Sequence, residues 1–163
     1  MRIVILGPAG SGKSTLARRL GKRLNVPVVC LDHIWQPGWA RSDVPAFRAL
    51  VRTAHAGEAW ISDGNFAAAT FDIRLPRATL ILWLDCPRPI SAWRAFVRVF
   101  RPDSGHRLRH LPRVLRFIWN FDRINRPLIE NLRQEHGGQI PVRRLVDRRD
   151  VERFLSASCQ NLQ

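Results

Sequence analysis

Cysteine is scarce in this chain of 163 residues, and the three present exclude a disulfide framework or a zinc site. Cys30, Cys86 and Cys159 are odd in number and lack C-x-x-C spacing, and Cys30 and Cys86 sit beside expected strand ends. Buried free thiols are therefore expected. No apolar run approaches the length of a membrane span, and Arg2 enters an apolar strand pattern with no signal-peptide pattern before it. A cytoplasmic protein with no membrane partner is expected. Lysine is scarcer still, only Lys13 and Lys22, so arginine supplies nearly all of the formal net charge of +14. Such a charge invites nucleic acid as a partner. The arginines are spread over both halves of the chain, however, and no helix-turn-helix, zinc or RNP pattern accompanies them. Nucleic acid remains a possible partner but not the favoured one.

A 45% hydrophobic content over this length supports one domain, residues 1–163, with a real core. The residues Gly7-Pro8-Ala9-Gly10-Ser11-Gly12-Lys13-Ser14-Thr15 meet every position of the G-x-x-x-x-G-K-[ST] pattern. The pattern falls between a buried strand, Arg2 to Leu6, and an amphipathic helix, Lys13 to Leu24, which is the context it requires. Gly7, Gly10 and Gly12 allow successive N–H groups to point into one concavity at the positive end of a helix dipole. Such a concavity binds a polyphosphate, so Gly7, Gly10, Ser11, Gly12, Lys13, Ser14 and Thr15 are the expected nucleotide-binding residues. Lys13 is placed to follow the migrating phosphoryl group, Ser14 to ligate Mg²⁺, and Thr15 to support the phosphate end.

Further along, Asn25 is a plausible left-handed cap, Val26 to Leu31 reads as a second strand ending at Asp32, and a helix spans Ser42 to about Ala56. Ala59 to Ser62 is a strand running into Asp63-Gly64-Asn65, and Thr79 to Leu84 is a strand ending in Asp85-Cys86-Pro87. Helix is expected from Pro89 to Phe100 and from Leu108 to Glu135, with interruptions at Pro112 and Pro127. A strand from Val142 to Val146 and a helix capped by Asp147 close the chain. Strands alternating with helices imply a parallel sheet covered on both faces.

Acids at strand carboxyl ends stand where ligands bind. Asp63 is expected in the metal shell, through water, and Asp32 at the acceptor hydroxyl or the metal, with the two roles exchangeable. Asn65 is expected to face the acceptor and Trp35 is a candidate stacking platform, while Asp85 reads as structural. From Arg88 to Arg126 lie ten arginines against two acids. Arg94, Arg98 and Arg101 share one helical face, and Arg109, Arg113 and Arg116 share another. Two arginine faces flanking a Pro/Gly break suit a lid over about residues 88–135, with Arg98 and Arg101 on the transferred phosphoryl group and Arg116 on the substrate. His106 and His110, four apart, have no third ligand in view and are not a metal site.

These residues resemble the nucleoside-monophosphate-kinase branch of P-loop kinases, most closely the adenylate-kinase-related proteins known as DNA topology modulation protein (FlaR-like). The resemblance runs through Gly7 to Thr15, Leu31-Asp32 with Trp35 to Trp39, Asp63-Gly64-Asn65, Trp83 to Pro87 and Arg116 to Phe121. It implies an α/β fold whose five-stranded parallel sheet has the order 2-3-1-4-5, with flanking helices and an arginine-rich helical lid, and ATP and Mg²⁺ as cofactors. The implied activity is an ATP-dependent kinase of a small nucleoside- or nucleotide-like acceptor, acting as monomer or homodimer. The arginine that follows Asp-Gly-Phe-Pro in adenylate kinase has no counterpart at Ala67, although Arg41, Arg48 and Arg74 could supply an anion site. A nucleotide-dependent DNA-binding protein and a polynucleotide 5′-hydroxyl kinase are the alternatives.

Overall fold

Five short strands, each rich in aliphatic or aromatic residues, pair side by side and in parallel. In the computed structural model, which describes residues 1–99 and 111–160, β1 (Arg2–Leu6), β2 (Val28–Cys30), β3 (Trp60–Asp63), β4 (Leu80–Leu84) and β5 (Val142–Leu145) form one sheet of order β2-β3-β1-β4-β5. The parallel sheet and the 2-3-1-4-5 order are as expected. The apolar alternation of β1 divides the core between the two faces of the sheet. Ile3 and Ile5 pack with Leu16 and Leu20 of α1 (Lys13–Leu24) and with Leu155 of α8 (Arg148–Gln160). Val4 and Leu6 face the other way, onto Phe71 of α4 (Ala67–Arg74), Phe121, and Ile129 of α7 (Arg126–Gly137). A third cluster, Leu31, Phe47 and Val51, closes the β2 edge beneath α3 (Val44–Ala54). Among the described residues no helix is long and apolar enough to cross a membrane.

Strand register sets the ligand edge. Ile5 pairs with Asp63 and Leu6 with Trp83, so the chain leaves β1, β3 and β4 at one level and turns there. The glycine-rich turn, Gly64-Asn65 and Asp85-Cys86 are thereby neighbours at the carboxyl edge, where open parallel sheets bind ligands.

Several boundaries differ from the sequence reading. The second strand stops at Cys30, and Leu31 and Asp32 begin a one-turn helix, α2 (Leu31–Ile34). The turn carries Leu31 completely into the third cluster, which a straight continuation of an edge strand would not reach. The single helix expected from Ser42 is split: the Asp43 carboxylate accepts the Ala40 N–H at 2.7 Å, fixing a 3₁₀ turn over Arg41–Asp43 before α3. α4 was not foreseen, because Phe66-Ala67-Ala68-Ala69 carries no side-chain cap and Phe66 itself takes a left-handed φ of 34°. The long helical region consists of α5 (Arg88–Val99), α6 (Leu111–Asn120), a π-helical turn over Phe121–Asn125, and α7. Pro112 and Pro127 each occupy the second position of a helix, where a missing N–H costs nothing. Asn25 is left-handed with φ 52°, and Asp147 accepts the Asp150 N–H at 2.7 Å, both as expected of caps. Cys30 and Cys86 are free thiols as expected but half-buried instead of buried, and the Cys159 side chain lies outside the described residues.

His55, just past α3, is 1% exposed. Its Nδ1–H donates to Val51 O at 2.7 Å, which leaves Nε2 to accept the Ser62 hydroxyl at 2.8 Å. Burial pushes its pKa down to about 4; the Val51 carbonyl works against that, and the charges of Arg74 and Arg77 add to it. The unfolded chain takes up this proton near pH 6.5 and the folded chain only near 4, so the unfolded state gains protons in between. Stability is predicted to be level above pH ~6.5 and to fall by about 1–3 kcal/mol as the pH drops to about 4. Urea midpoints of wild type and His55→Gln across that range check it, since the variant lacks this component; equal pH slopes would contradict it.

Candidate active site

The glycine-rich turn is pressed between two other segments. A Cβ on Gly10 would stand 2.2 Å from the Ser91 carbonyl oxygen of α5, and one on Gly7 would stand 2.5 Å from the Leu84 carbonyl oxygen. Both residues also have left-handed φ, 77° and 143°, so only glycine fits there. Within the turn the Ser11 N–H donates to Pro8 O at 3.3 Å. The first turn of α1 carries no acid that would neutralise its positive dipole end. Lys13 folds back over the turn, its Nζ donating to Gly7 O at 2.9 Å and to Pro8 O at 2.8 Å.

Gly7 is also clamped from the turn that follows β3. The Asn65 Oδ1 accepts the Gly7 N–H at 3.2 Å while Nδ2 donates to the Gly7 carbonyl at 2.9 Å, so one side-chain amide holds both polar groups of one residue. The clamp is itself held by a buried guanidinium. Arg74, fully buried in α4, donates from Nε to Thr70 Oγ1 at 2.9 Å, from Nη1 to Ser62 Oγ and Gly64 O at 3.0 Å each, and from Nη2 to Asn65 O. Burial pushes its pKa down to about 9, with the Asp63 charge opposing the shift, so the group stays cationic at neutral pH. Asp63 is 2% exposed, and its Oδ2 accepts the Cys30 thiol at 3.8 Å. Burial, and then the Asp63 charge, raise the pKa of that thiol.

In front of the turn opens a cavity of about 540 Å³, a size suited to small molecules. Gly10, Gly12, Lys13, Ser14, Asp32 and Asn65 all line it, so six of the residues singled out from the sequence meet at one place. Others do not reach its wall. Gly7 and Ser11 are buried behind the turn, and Thr15 is exposed on α1. Asp63, expected in a metal shell, is buried behind Gly64 and off the wall; its carboxylate serves Cys30 and the Arg74 charge instead. Trp35, the expected stacking platform, packs against Trp39, Phe47 and Phe66 at ring distances of 5.6, 5.2 and 6.1 Å, and Phe66 is the member of that group on the wall. Arg116 is exposed on α6, whereas its neighbour Phe117 lines the cavity. Arg101 and the side chain of Arg98 lie outside the described residues.

Arg41, Arg48 and Arg74, which could have supplied an anion site, do not line the cavity. Arg48 is spent on Ala69 O at 2.7 Å and on the Asp72 carboxylate, and Arg74 on backbone and hydroxyl acceptors; Arg41 is exposed. Asp85 is structural as read, paired with Arg126, whose Nε also lies 3.2 Å from Asp122 Oδ1. Arg94, absent from the expected site, lies on the turn: its Nη1 donates to Ser11 O at 3.4 Å and approaches Cys86 Sγ at 3.7 Å. Its place in the arginine face of α5 was the available signal. Ala67 to Ala69, Asn125 and Leu128, also on the wall, gave none, because small and apolar residues there read as ordinary helix.

No family model matches the chain. A shikimate kinase of Corynebacterium diphtheriae is 31% identical over an alignment of 113 residues that covers 61% of this chain and 65% of that protein. The chain thus spans less than two thirds of the length of the curated relatives it matches. Among solved structures, a shikimate kinase from Acinetobacter baumannii in complex with shikimate superposes with TM-score 0.61 at 16% identity, over 99% of this chain and 92% of that one. Deoxyadenosine kinase from M. mycoides with bound dCTP superposes with TM-score 0.52 at 12% identity, over 99% of this chain and 100% of the other. The fold is that of the P-loop kinases.

Arg74→Met would leave the acceptors of Thr70, Ser62, Gly64 and Asn65 without their donor in a buried place. The variant is predicted to lose about 3–5 kcal/mol of unfolding free energy. A urea titration checks this, and a loss below about 1 kcal/mol would show that the fork is dispensable.

Proposed function

We propose that the chain is an ATP-dependent phosphotransferase that moves the γ-phosphoryl group of Mg·ATP to a hydroxyl of a small molecule. The observation that carries this reading is that Lys13, Ser14 and Asp32 open onto one cavity whose floor is a glycine-rich turn at a helix N-terminus. The likeness to shikimate kinases and to deoxyadenosine kinase supports it, as does the FlaR-like pattern of Asp63-Gly64-Asn65.

The roles follow from position. Backbone N–H groups of the turn and the dipole of α1 hold the polyphosphate. Lys13, released from the Gly7 and Pro8 carbonyls, compensates the charge that spreads over the transferred group, and Arg94, which reaches the turn at Ser11 O, adds a second cation there. A site of this kind holds Mg²⁺ through one or two protein oxygens and the phosphates, which the donors on this wall fit: the Ser14 hydroxyl, with Asp32 on the same wall. The ion would neutralise charge between the phosphates. Asp63 would act only from behind, by fixing the loop. Asp32 accepts the proton of the acceptor hydroxyl; the new bond forms between that oxygen and the γ-phosphorus, the bond to the bridging oxygen breaks, and ADP leaves with the electron pair. The helices α5 to α7, with the described arginines Arg94, Arg116 and Arg123, act as the lid that excludes water.

Lys13→Ala is predicted to lower turnover by about 10³-fold or more with thermal unfolding nearly unchanged, and Asp32→Asn to lower kcat by about 10²–10⁴-fold with little change in the KM for ATP. Coupled ADP-release assays across nucleosides, nucleotides, hydroxy acids and DNA 5′ ends check both. Undiminished turnover in the Lys13 variant would refute the assignment.

A further inference from the structure

Asn125 is a half-buried polar residue on the cavity wall to which the phosphate chemistry of Lys13, Ser14 and Asp32 gives no part. It closes the π-helical turn, Phe121–Asn125, that joins α6 to α7. Single π-helical turns between α-helical segments recur at functional sites. This one is pinned on both sides of Asn125. Phe121, 1% exposed, packs into the core with Val4, Leu6 and Trp83. Asp122 accepts Arg88 Nε, from the start of α5, at 2.8 Å. Arg126, the residue after Asn125, pairs with Asp85 at the end of β4, brings its Nε to 3.2 Å from Asp122 Oδ1, and holds its Cζ 5.6 Å from the centre of the Trp83 ring. Half-exposed ion pairs contribute little to stability singly. Together these tie the π-helical turn to the sheet edge that carries the glycine-rich turn, and so fix where the Asn125 amide stands.

A ligand that fills the cavity covers this amide and strips its water, so it must answer the amide or lose affinity. A carboxamide offers an acceptor and a donor side by side in one plane, which complements a ring edge carrying a donor next to an acceptor. Phe117 and Leu128, on the same wall, present apolar surface to the faces of such a ring. Resting on the phosphotransferase reading, we propose that Asn125 is the residue that selects the acceptor, and that the acceptor is a hydroxyl compound whose ring has such an edge, of the class of a nucleoside. The amide bonds the ring edge while the hydroxyl faces Asp32. Asp85, Asp122 and Arg126 are positioning residues that act through Asn125.

Deoxynucleosides and their apolar isosteres, in which the ring keeps its shape but its edge cannot hydrogen-bond, test this. Difluorotoluene deoxyriboside serves for the pyrimidines and methylbenzimidazole deoxyriboside for the purines. Binding to the protein loaded with a non-hydrolysable ATP analogue is read by calorimetry, and turnover by ADP release. In the wild type at least one natural deoxynucleoside is expected to bind about 10–100-fold more tightly than its isostere. Asn125→Leu is expected to close that gap to within about threefold, and Asn125→Asp, which keeps the size but loses the donor, to narrow it as well. Asp122→Asn is expected to narrow the gap about threefold with thermal unfolding nearly unchanged, a change of selectivity that a merely structural ion pair would not produce. A wild type that does not tell nucleoside from isostere, a gap that persists in Asn125→Leu, or no binding of any deoxynucleoside at millimolar concentration overturns the proposal. A gap untouched by Asp122→Asn overturns the positioning role. If a deoxynucleoside binds through Asn125 but is not phosphorylated, the phosphotransferase reading fails while the recognition of the ring edge stands.

Discussion

A single side-chain amide ties the glycine-rich turn to the segment that follows β3. Asn65 takes both the N–H and the carbonyl of Gly7, and Gly7 is the residue where β1 becomes the turn. A loop built to present N–H groups to an anion repels its own parts before the anion arrives, because its dipoles are parallel. It keeps its shape only if neighbouring segments impose it. Three do so here: the Leu84 carbonyl and Ser91 leave no room at Gly7 and Gly10, and Asn65 fixes the peptide orientation. Lys13 adds a cation over the Gly7 and Pro8 carbonyls.

The buried guanidinium of Arg74 extends this constraint into the core. A charge without solvent is costly, and it is retained where hydrogen-bond acceptors surround it. Thr70, Ser62, Gly64 and Asn65 answer it, and the negative Asp63 lies near enough to oppose its loss of charge. Ser62 also joins it to His55, so a continuous polar chain runs from the end of α3 to the glycine-rich turn. Rigidity at the turn thus comes from polar groups buried beneath α4, while the apolar wall of the cavity comes from α4 to α7.

Much of this was legible in the sequence. The strand cores, the glycine-rich turn and the strand order follow from apolar runs, from one motif of nine residues and from a family resemblance. What was not legible depends on long-range partners. Arg74 reads as one more surface arginine in a chain that has 27 basic residues, and nothing local announces that its fork turns inward. Asp32 and Asp63 both look like acids at strand ends, yet Asp32 is carried forward onto the cavity by a helical turn and Asp63 stays buried in β3. The π-helical turn at Phe121–Asn125, which brings Asn125 to the cavity, has no sequence signature beyond Pro127 downstream.

The central claim is that Arg74 holds the glycine-rich turn in shape through Asn65. A double-mutant cycle of Arg74→Lys and Asn65→Ala, read as the Kd for ATP of the folded protein, tests it most directly, because lysine keeps the charge but loses the fork. Each single variant is predicted to weaken ATP binding by about tenfold, and the double variant to be little worse than either, since both break the same connection. Fully additive losses, or an Arg74→Lys variant that binds ATP as tightly as the wild type, would contradict the account.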